Sequence, residues 1–499
     1  MYKKLIIVML IVLGAFTTFF LYRTYAYDTS VVEDTPTTTD KAYTFKIGNS
    51  SIKQIQVDAG ETKYFDIVLS NPNNAKISYS IYYEMVSPTT KPDGFSIGYT
   101  SKSTGTSTGK VDKNGNITLS IEASNTSSSA VTVKIGTVAG YVNGGELTLG
   151  SGQVIIPNAP VNAVELITKL NDGTTGDDGS GVYKVTHSAI PASSSATGTE
   201  IPAVTDYRYY GPSTNNYICL DMEGQSTCPD KHLYRIIGSI YEEKENTNRI
   251  KVIKATPLTD GTTKGFSWDY KVNNGSGSWD NIWATITSGN YSNSLTSGSQ
   301  LMKLLNSGAW WNGTSGSYYN NSTTATNVNF TNYKLSDKAK SYITTSRYYL
   351  GGYGESRGVM TNQFYAYERG IKRYNTDRPL YWDGYVGLMY PSDYGYAAGN
   401  TCVTRTDPYN YDGGCKNKDW LWMTTNSNYT SRAEWLMSPY SGYSYFAFDV
   451  SSSGYVDDNY VSNYRIYQTF SVRPTFYLTS STLITSGDGS IDNPYLIGL

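Results

Sequence analysis

Residues 435–478 read WLMSPYSGYSYFAFDVSSSGYVDDNYVSNYRIYQTFSVRPTFYL. Between Tyr440 and Phe470, 18 of 31 residues are Tyr, Ser, Asp or Asn, while Trp435-Leu436-Met437 before them and Val472 to Leu478 after them are mostly apolar. An apolar frame around a polar-aromatic insert is the pattern of a scaffold that displays a surface. Tyrosine supplies large amphipathic contact area at low entropic cost, and Ser and Asn supply adaptable hydrogen bonds. The expected contact residues are Tyr443, Tyr445, Tyr455, Asp457, Asp458, Asn459, Tyr460, Asn463 and Tyr464, in loops or on an exposed strand face. Trp435 is expected to be buried framework, and Arg473 a framework residue bridging a carboxylate or carbonyls. The competing reading is an ordinary secreted β surface, where such residues are also common.

Around this stretch lies a chain of 499 residues, long enough for two to four domains. With 40 Lys+Arg against 42 Asp+Glu, its formal net charge is -2. That balance gives no footprint for nucleic acid or an acidic polymer. Only 16% of residues are charged, against 47 Tyr and 47 Gly, a profile that suits an extracellular β-protein better than a cytosolic enzyme. Lys3 and Lys4 precede the uncharged run LIIVMLIVLGAFTTFFL, residues 5–21. Residues 1–27 therefore read as a signal peptide or signal anchor, the lysines holding the N-terminus inside and sending the rest out. Thr24-Tyr25-Ala26 would serve as a cleavage site, so secreted and membrane-tethered forms both fit, and the membrane is a partner only if the segment is uncleaved. In an exported chain, Cys219 with Cys228 and Cys402 with Cys415 read as two loop-closing disulfides. A zinc site is the alternative; the chain has no CxxC and only two histidines, so neither a metal nor any other cofactor is expected.

Residues 28–40 (DTSVVEDTPTTTD) look like a stalk. From 41 to 157 about seven short alternating runs, separated by turns such as Asp58-Ala59-Gly60 and Asn71-Pro72-Asn73-Asn74, favour an all-β immunoglobulin-like sandwich acting as a spacer. Asp112, Asn114 and Asn116 alternate as calcium ligands would, but position 123 is alanine, and a hairpin turn is the better reading. Residues 158–205 read as a linker containing a short helix, Ala163 to Leu170, followed by Gly, Ser, Thr and Pro. A second domain is expected over 206–499, with strands at Leu233 to Ile240 and Arg249 to Lys254 and helices at Ser299 to Asn306 and after a Ser336 cap. Beyond Gly351 an aromatic series including Trp382, Tyr390, Tyr394, Tyr396 and Trp420 fits either a core or a sugar-stacking site.

Several stretches resemble a family of large exported proteins of gut-associated Gram-positive bacteria with a C-terminal domain of unknown function. They include DYRYYGPSTNNYIC (206–219), LYRII (233–237), LMKLLN (301–306), YYLGG (348–352), GLMYPSDYGYA (387–397), WLMSP (435–439), Gly454-Tyr455-Val456 and the segment Val472 to Leu478. The order WLxSP, polar stretch, VRPxxxL is similar to the C-type-lectin-type fold shared by formylglycine-generating enzymes and the target proteins of diversity-generating retroelements. The resemblance implies an α+β C-type-lectin-like domain that displays residues 440–470, and no particular activity, since fold does not fix function.

Enzyme chemistry is poorly supported. A formylglycine-generating enzyme would need redox-active cysteines, and none follows Cys415. A serine hydrolase needs a base, yet His187 falls in the linker and His232 beside a core strand. A glycosidase needs only two placed carboxylates, for which Glu355, Glu368, Asp383, Asp393 and Glu434 are available. The favoured expectation is a non-catalytic, adhesin-like recognition protein at the cell surface, binding a glycan or protein; a structural surface component and a secreted glycosidase are the alternatives.

Overall fold

Alternation of apolar and polar residues makes strands of the first 160 residues. In Asn116–Asn125, Ile117, Leu119, Ile121 and Ala123 point inward and the residues between them outward. The computed structural model describes residues 44–47, 54–100, 102–141, 147–157, 159–171, 179–269, 282–284, 298–319, 325–423, 433–444, 446–457 and 469–498. It divides the chain at Pro160/Val161 into two units. The segments read as signal or anchor (1–27) and stalk (28–40) lie outside the described residues, among which no helix is long and apolar enough to cross a membrane.

The first unit is all β. Its strands are β1 (Thr44–Ile47), β2 (Gln54–Val57), β3 (Thr62–Ser70), β4 (Ile77–Ser87), β5 (Phe95–Tyr99), β6 (Thr108–Val111), β7 (Asn116–Asn125), β8 (Val131–Tyr141) and β9 (Gln153–Ile155). One sheet runs β1-β3-β7-β5 and the other β2-β8-β4-β6, with β9 also on β4. Both contribute to one interior, Ile67, Leu69, Leu119 and Ile121 from the first meeting Ile77, Ile81, Val133 and Ile135 from the second. Strand β6 is invisible to a pattern search because Thr-Gly-Lys-Val has a single inward residue, Val111. The turn at Asp112–Gly115 is not a hairpin: β6 pairs with β4 and β7 with β3 and β5, so the turn carries the chain from one sheet to the other.

The second unit is built on a ten-stranded sheet. Its strands are β10 (Val161–Asn162), β11 (Gly181–His187), β12 (Val204–Tyr210), β13 (Tyr217–Cys219), β14 (Leu233–Glu242), β15 (Thr247–Lys254), β18 (Ile343–Thr344), β24 (Thr475–Leu478), β25 (Leu483–Ser486) and β26 (Tyr495–Gly498), with smaller sheets made by β16 (Ser315–Tyr318) and β17 (Thr326–Asn329), by β19 (Ser346–Tyr349) and β20 (Tyr381–Gly384), and by β21 (Glu434–Pro439), β22 (Ala447–Val450) and β23 (Val456–Asp457). Helices α1 (Ala163–Lys169), α2 (Gln300–Asn306), α3 (Ala309–Asn312), α4 (Asp337–Ser341), α5 (Thr361–Glu368), α6 (Pro391–Ala397), α7 (Asn400–Arg405) and α8 (Gly413–Lys416) accompany them. Asn162, Ser299 and Ser336 cap α1, α2 and α4 by accepting backbone N–H groups, as their sequences suggest. Helix α4 is shorter than expected because Ile343 and Thr344 leave it to pair with β24.

The described residues of 161–205 belong to the second unit rather than to a linker. Strand β10 pairs with β25, Ala163 and Ile167 are buried, β11 pairs with β12 along its whole length, and Ser195 bridges Gly370. Both disulfides are present, Cys219–Cys228 across the β13–β14 connection and Cys402–Cys415 joining α7 to α8. Trp382, Tyr390, Tyr394, Tyr396 and Trp420 are buried, so most of the aromatic series is core.

Charge is also buried here. Asp206 and Arg208 on β12, Lys251 on β15 and Asp393 on α6 form a chain in which Arg208 contacts Asp206 Oδ2 at 2.7 Å and Asp393 Oδ1 at 2.8 Å, and Lys251 Nζ contacts Asp393 Oδ2 at 2.5 Å. Burial would raise Asp393, but Lys251 and Arg208 reverse this and hold it at about 2. His187, on β11 rather than in a linker, joins Asp206 at 2.9 Å and stacks on Tyr365 at 3.5 Å. Glu368, at the end of α5, accepts from the Ser392 backbone N–H at 2.9 Å and hydroxyl at 2.6 Å; burial pushes it up to about 7, with Arg369 and Ser392 offsetting only part of that.

Candidate ligand-recognition surface

The WLMSP segment becomes β21, every residue of it buried. Trp435 is fully buried and donates its indole N–H to the Phe266 carbonyl at 2.8 Å. Arg473, also buried, forks onto Glu434 at 2.7 and 2.8 Å and donates to the Leu421 carbonyl at 2.6 Å. These contacts fix where the connection 440–446 leaves the interior. Pro439 pairs with Ala447, and Tyr440 N–H donates to the Phe446 carbonyl at 3.1 Å, closing the loop at its neck.

Within the loop, Tyr440 is the anchor. Its hydroxyl donates to the Gly354 carbonyl, and its ring meets Phe446 and Phe448. Tyr443 lies parallel to Tyr440, centroids 6.1 Å apart, and remains 51% exposed. Here a predicted contact residue sits on a rigid support and faces outward.

The other predicted contacts divide. Tyr455 is half-buried, following the left-handed Gly454, with its ring 5.8 Å from Tyr409. Asp457 is only 3% exposed, because β23 continues the β22 ladder and pairs it with buried Asp449; its place among the contact residues is corrected on that ground. Tyr445, Asp458, Asn459, Tyr460, Asn463 and Tyr464 lie outside the described residues.

The rest of the surface comes from residues 350–379, which sequence reasoning did not assign to it. Ser441 N–H donates to the Tyr353 carbonyl at 3.1 Å, joining the two loops. Tyr353 stacks on Tyr367 at 4.2 Å, and Lys372 Nζ stands 4.3 Å from the Tyr353 centroid. Arg357 donates to the Tyr409 hydroxyl at 2.7 Å and covers its ring. The approach depends on Gly351 and Gly352. A Cβ on Gly352 would fall 1.9 Å from the Pro439 carbonyl oxygen, and one on Gly351 would fall 2.6 Å from those of Tyr367 and Glu368. The glycine pair inside YYLGGYG was the available sequence signal. A shallow, open surface cleft that encloses almost no space of its own lies between the loops, with Trp283 and Leu350 among its apolar walls and Arg373, Tyr374, Tyr440 and Ser441 among its polar ones.

The chemistry offered elsewhere is limited. Of the five carboxylates available to a glycosidase, Glu434 is forked by Arg473, Asp383 by Arg347, Asp393 is held by Arg208 and Lys251, Glu368 is bound to Ser392, and Glu355 is exposed. Asp221, Glu223 and His232 place possible metal-ligand atoms within 4.8 Å of one another. Lys231 and Lys338 already contact the two carboxylates, and His232 Nε2 lies 3.1 Å from Glu223. A metal on Nε2 would move the ring proton to Nδ1, which is buried with no hydrogen-bond partner, so this group fits an ion-pair cluster better than a metal site. No family model, curated protein or solved structure matches this chain.

Proposed function

We propose that this protein is an exported, non-catalytic recognition protein of the cell surface. Its N-terminal unit is an immunoglobulin-like spacer, and its C-terminal unit a C-type-lectin-like domain that binds a surface glycan or protein. The observation carrying this reading is Tyr443, held parallel to an anchored Tyr440 and half exposed beside a cleft that mixes tyrosine, arginine and serine. An exposed tyrosine on a fixed aromatic base offers contact area at low entropic cost, which is what a recognition surface uses. The carboxylates tied into ion pairs speak against hydrolysis, because a general acid and base must reach the substrate.

The test is binding of the whole purified chain to glycan arrays, mucin-coated surfaces and bacterial cells, beside Tyr443→Ala and a Tyr443→Ala/Tyr374→Ala double variant. Saturable binding that the variants lose while their tryptophan fluorescence stays native supports recognition. Absence of binding everywhere removes it in favour of a structural surface component, and consumption of the glycan during the assay would reinstate the hydrolase.

A further inference from the structure

Resting on that reading, we propose that the cleft beside Tyr443 takes an anionic sugar, one bearing a carboxylate or a sulfate ester, with Arg373 and Lys372 as the residues that select for the charge. The proposal begins with cations that the fold leaves without counter-ions. Among the described residues most charges of this unit are paired: Arg347 with Asp383, Arg405 with Asp412, Arg473 with Glu434, Arg208 with two aspartates. Among the described residues neither Lys372 nor Arg373 forms an ion pair, although Glu355 and Asp377 are near in sequence and exposed. Lys372 is exposed, and its ammonium stands over the Tyr353–Tyr367 stack, 4.3 Å from the first ring centroid and 5.9 Å from the second, where the ring faces hold it in place without neutralising its charge. Arg373 is half-buried in the cleft wall; one terminal nitrogen donates to the Arg378 carbonyl, which orients the guanidinium and leaves its other N–H groups for a ligand.

The aromatic partners suit a sugar rather than a flat apolar molecule. Tyr374, 46% exposed, and Tyr440 stand on the cleft wall, while Tyr443 offers an outer ring face just beyond it. Pyranose rings pack their C–H faces on such side chains, and Ser441 adds a hydroxyl at the rim. A planar guanidinium matches a carboxylate or sulfate with two parallel donors, so a neutral hexose would leave the most oriented donor of the cleft unused. Because Lys372 is exposed, its charge should also accelerate capture of an acidic ligand at low salt.

The experiment uses the whole chain against matched glycan pairs that differ only in the acidic group: sialylated and desialylated, sulfated and unsulfated, and glucuronate-terminated and glucose-terminated. It includes Arg373→Gln, Lys372→Glu, and Tyr443→Ala as a variant that removes stacking without touching charge. The expected result is binding to at least one acidic member, weakened about tenfold or more by removing the acid, by Arg373→Gln or by 0.5 M salt. Loss on desialylation, on desulfation or on replacing glucuronate with glucose would identify which acid is read. Lys372→Glu is the control for misfolding, since that side chain is exposed and a loss there reports charge rather than packing. Equal binding of acidic and neutral members, unchanged in Arg373→Gln and lost in Tyr443→Ala, would overturn the anionic inference and leave glycan recognition standing. No glycan bound by the parent chain would overturn both.

Discussion

Replacing Glu368 by glutamine tests whether the interior of the second unit carries a carboxyl group whose ionisation opposes folding. Glu368 is buried, accepts two hydrogen bonds from Ser392, and has its pKa pushed up by burial from 4.5 to about 7. A folded-state value above the unfolded one means that stability from this group is fully present below pH 4.5 and is lost as pH rises through 7. The shift of about 2.5 units corresponds to about 3 kcal/mol between pH 4 and pH 9. Glutamine keeps the Ser392 N–H acceptor and stays neutral, so the penalty vanishes at high pH while the weak 3.3 Å contact with Arg369 is given up at every pH. Unfolding entropy of about 2.1 cal/mol/K per residue over about 340 residues converts 3 kcal/mol into about 4–5 °C. The assay is thermal unfolding by tryptophan fluorescence across pH 4.5 to 9. All nine tryptophans fall after residue 160, so the signal reports the second unit alone. Glu368→Gln should lie level with or slightly below the parent at pH 4.5 and a few degrees above it at pH 9. Parallel profiles, with one constant offset, would refute the assignment of a carboxyl that ionises near neutrality.

Other perturbations have distinct signatures. Arg473→Met strands Glu434 as a buried carboxylate and should destabilise the second unit by about 3–5 kcal/mol in urea unfolding, whereas Arg473→Met with Glu434→Leu should recover most of that. Gly352→Ala forces a Cβ against the Pro439 carbonyl; a loss of about 1–3 kcal/mol together with weakened binding is expected, and native binding would show that the two loops need not meet. Replacing Cys402 and Cys415 by serine removes a short closed loop and should lower stability by about 3 kcal/mol, whereas under reductant, which opens Cys219–Cys228 in both chains, parent and variant should share one midpoint. Asp419 is buried with its Oδ2 unpartnered and burial raising its pKa, so Asp419→Asn should stabilise the unit above the ordinary carboxylate range and be neutral below it, as chemical unfolding at pH 4 and pH 8 would show.

Elements whose signals are local were legible. The AVELITK and LMKLLN runs and the strand run Leu233 to Ile240 each carry a local apolar pattern, and two helices and a strand form there, while the Asn162 and Ser299 caps were signals the sequence reading left unused. The segment 181–187 carries no clean period, since Val182 packs into the main core while Val185 faces a small cluster with Tyr365 and Tyr396 on the other side, and it lies between runs of Gly, Ser and Pro that resemble a tether. Its strand character comes from partners on β12, which no local window contains. The proposed recognition surface was half legible for the same reason. The Tyr/Ser bias around 443 is visible in the chain, whereas Tyr353, Lys372 and Arg373 reach it only because two glycines let distant backbone pass within contact of Pro439. Asp457 shows the converse error: composition placed it outside, and strand pairing turned it in.

The parallel pairing of β13 with β26, Ile218 beside Tyr495, has a consequence for how the unit is made. Together with β10 on β25, it gives segments that precede residue 220 neighbours that follow residue 482. The ribosome must therefore release nearly the whole second unit before its large sheet can assemble, and until then β10 and the β26-facing edge of β13 lack their partners. That ordering leaves strand edges exposed for as long as synthesis lasts, and on the proposal of an exported chain it would also keep the second unit open for translocation.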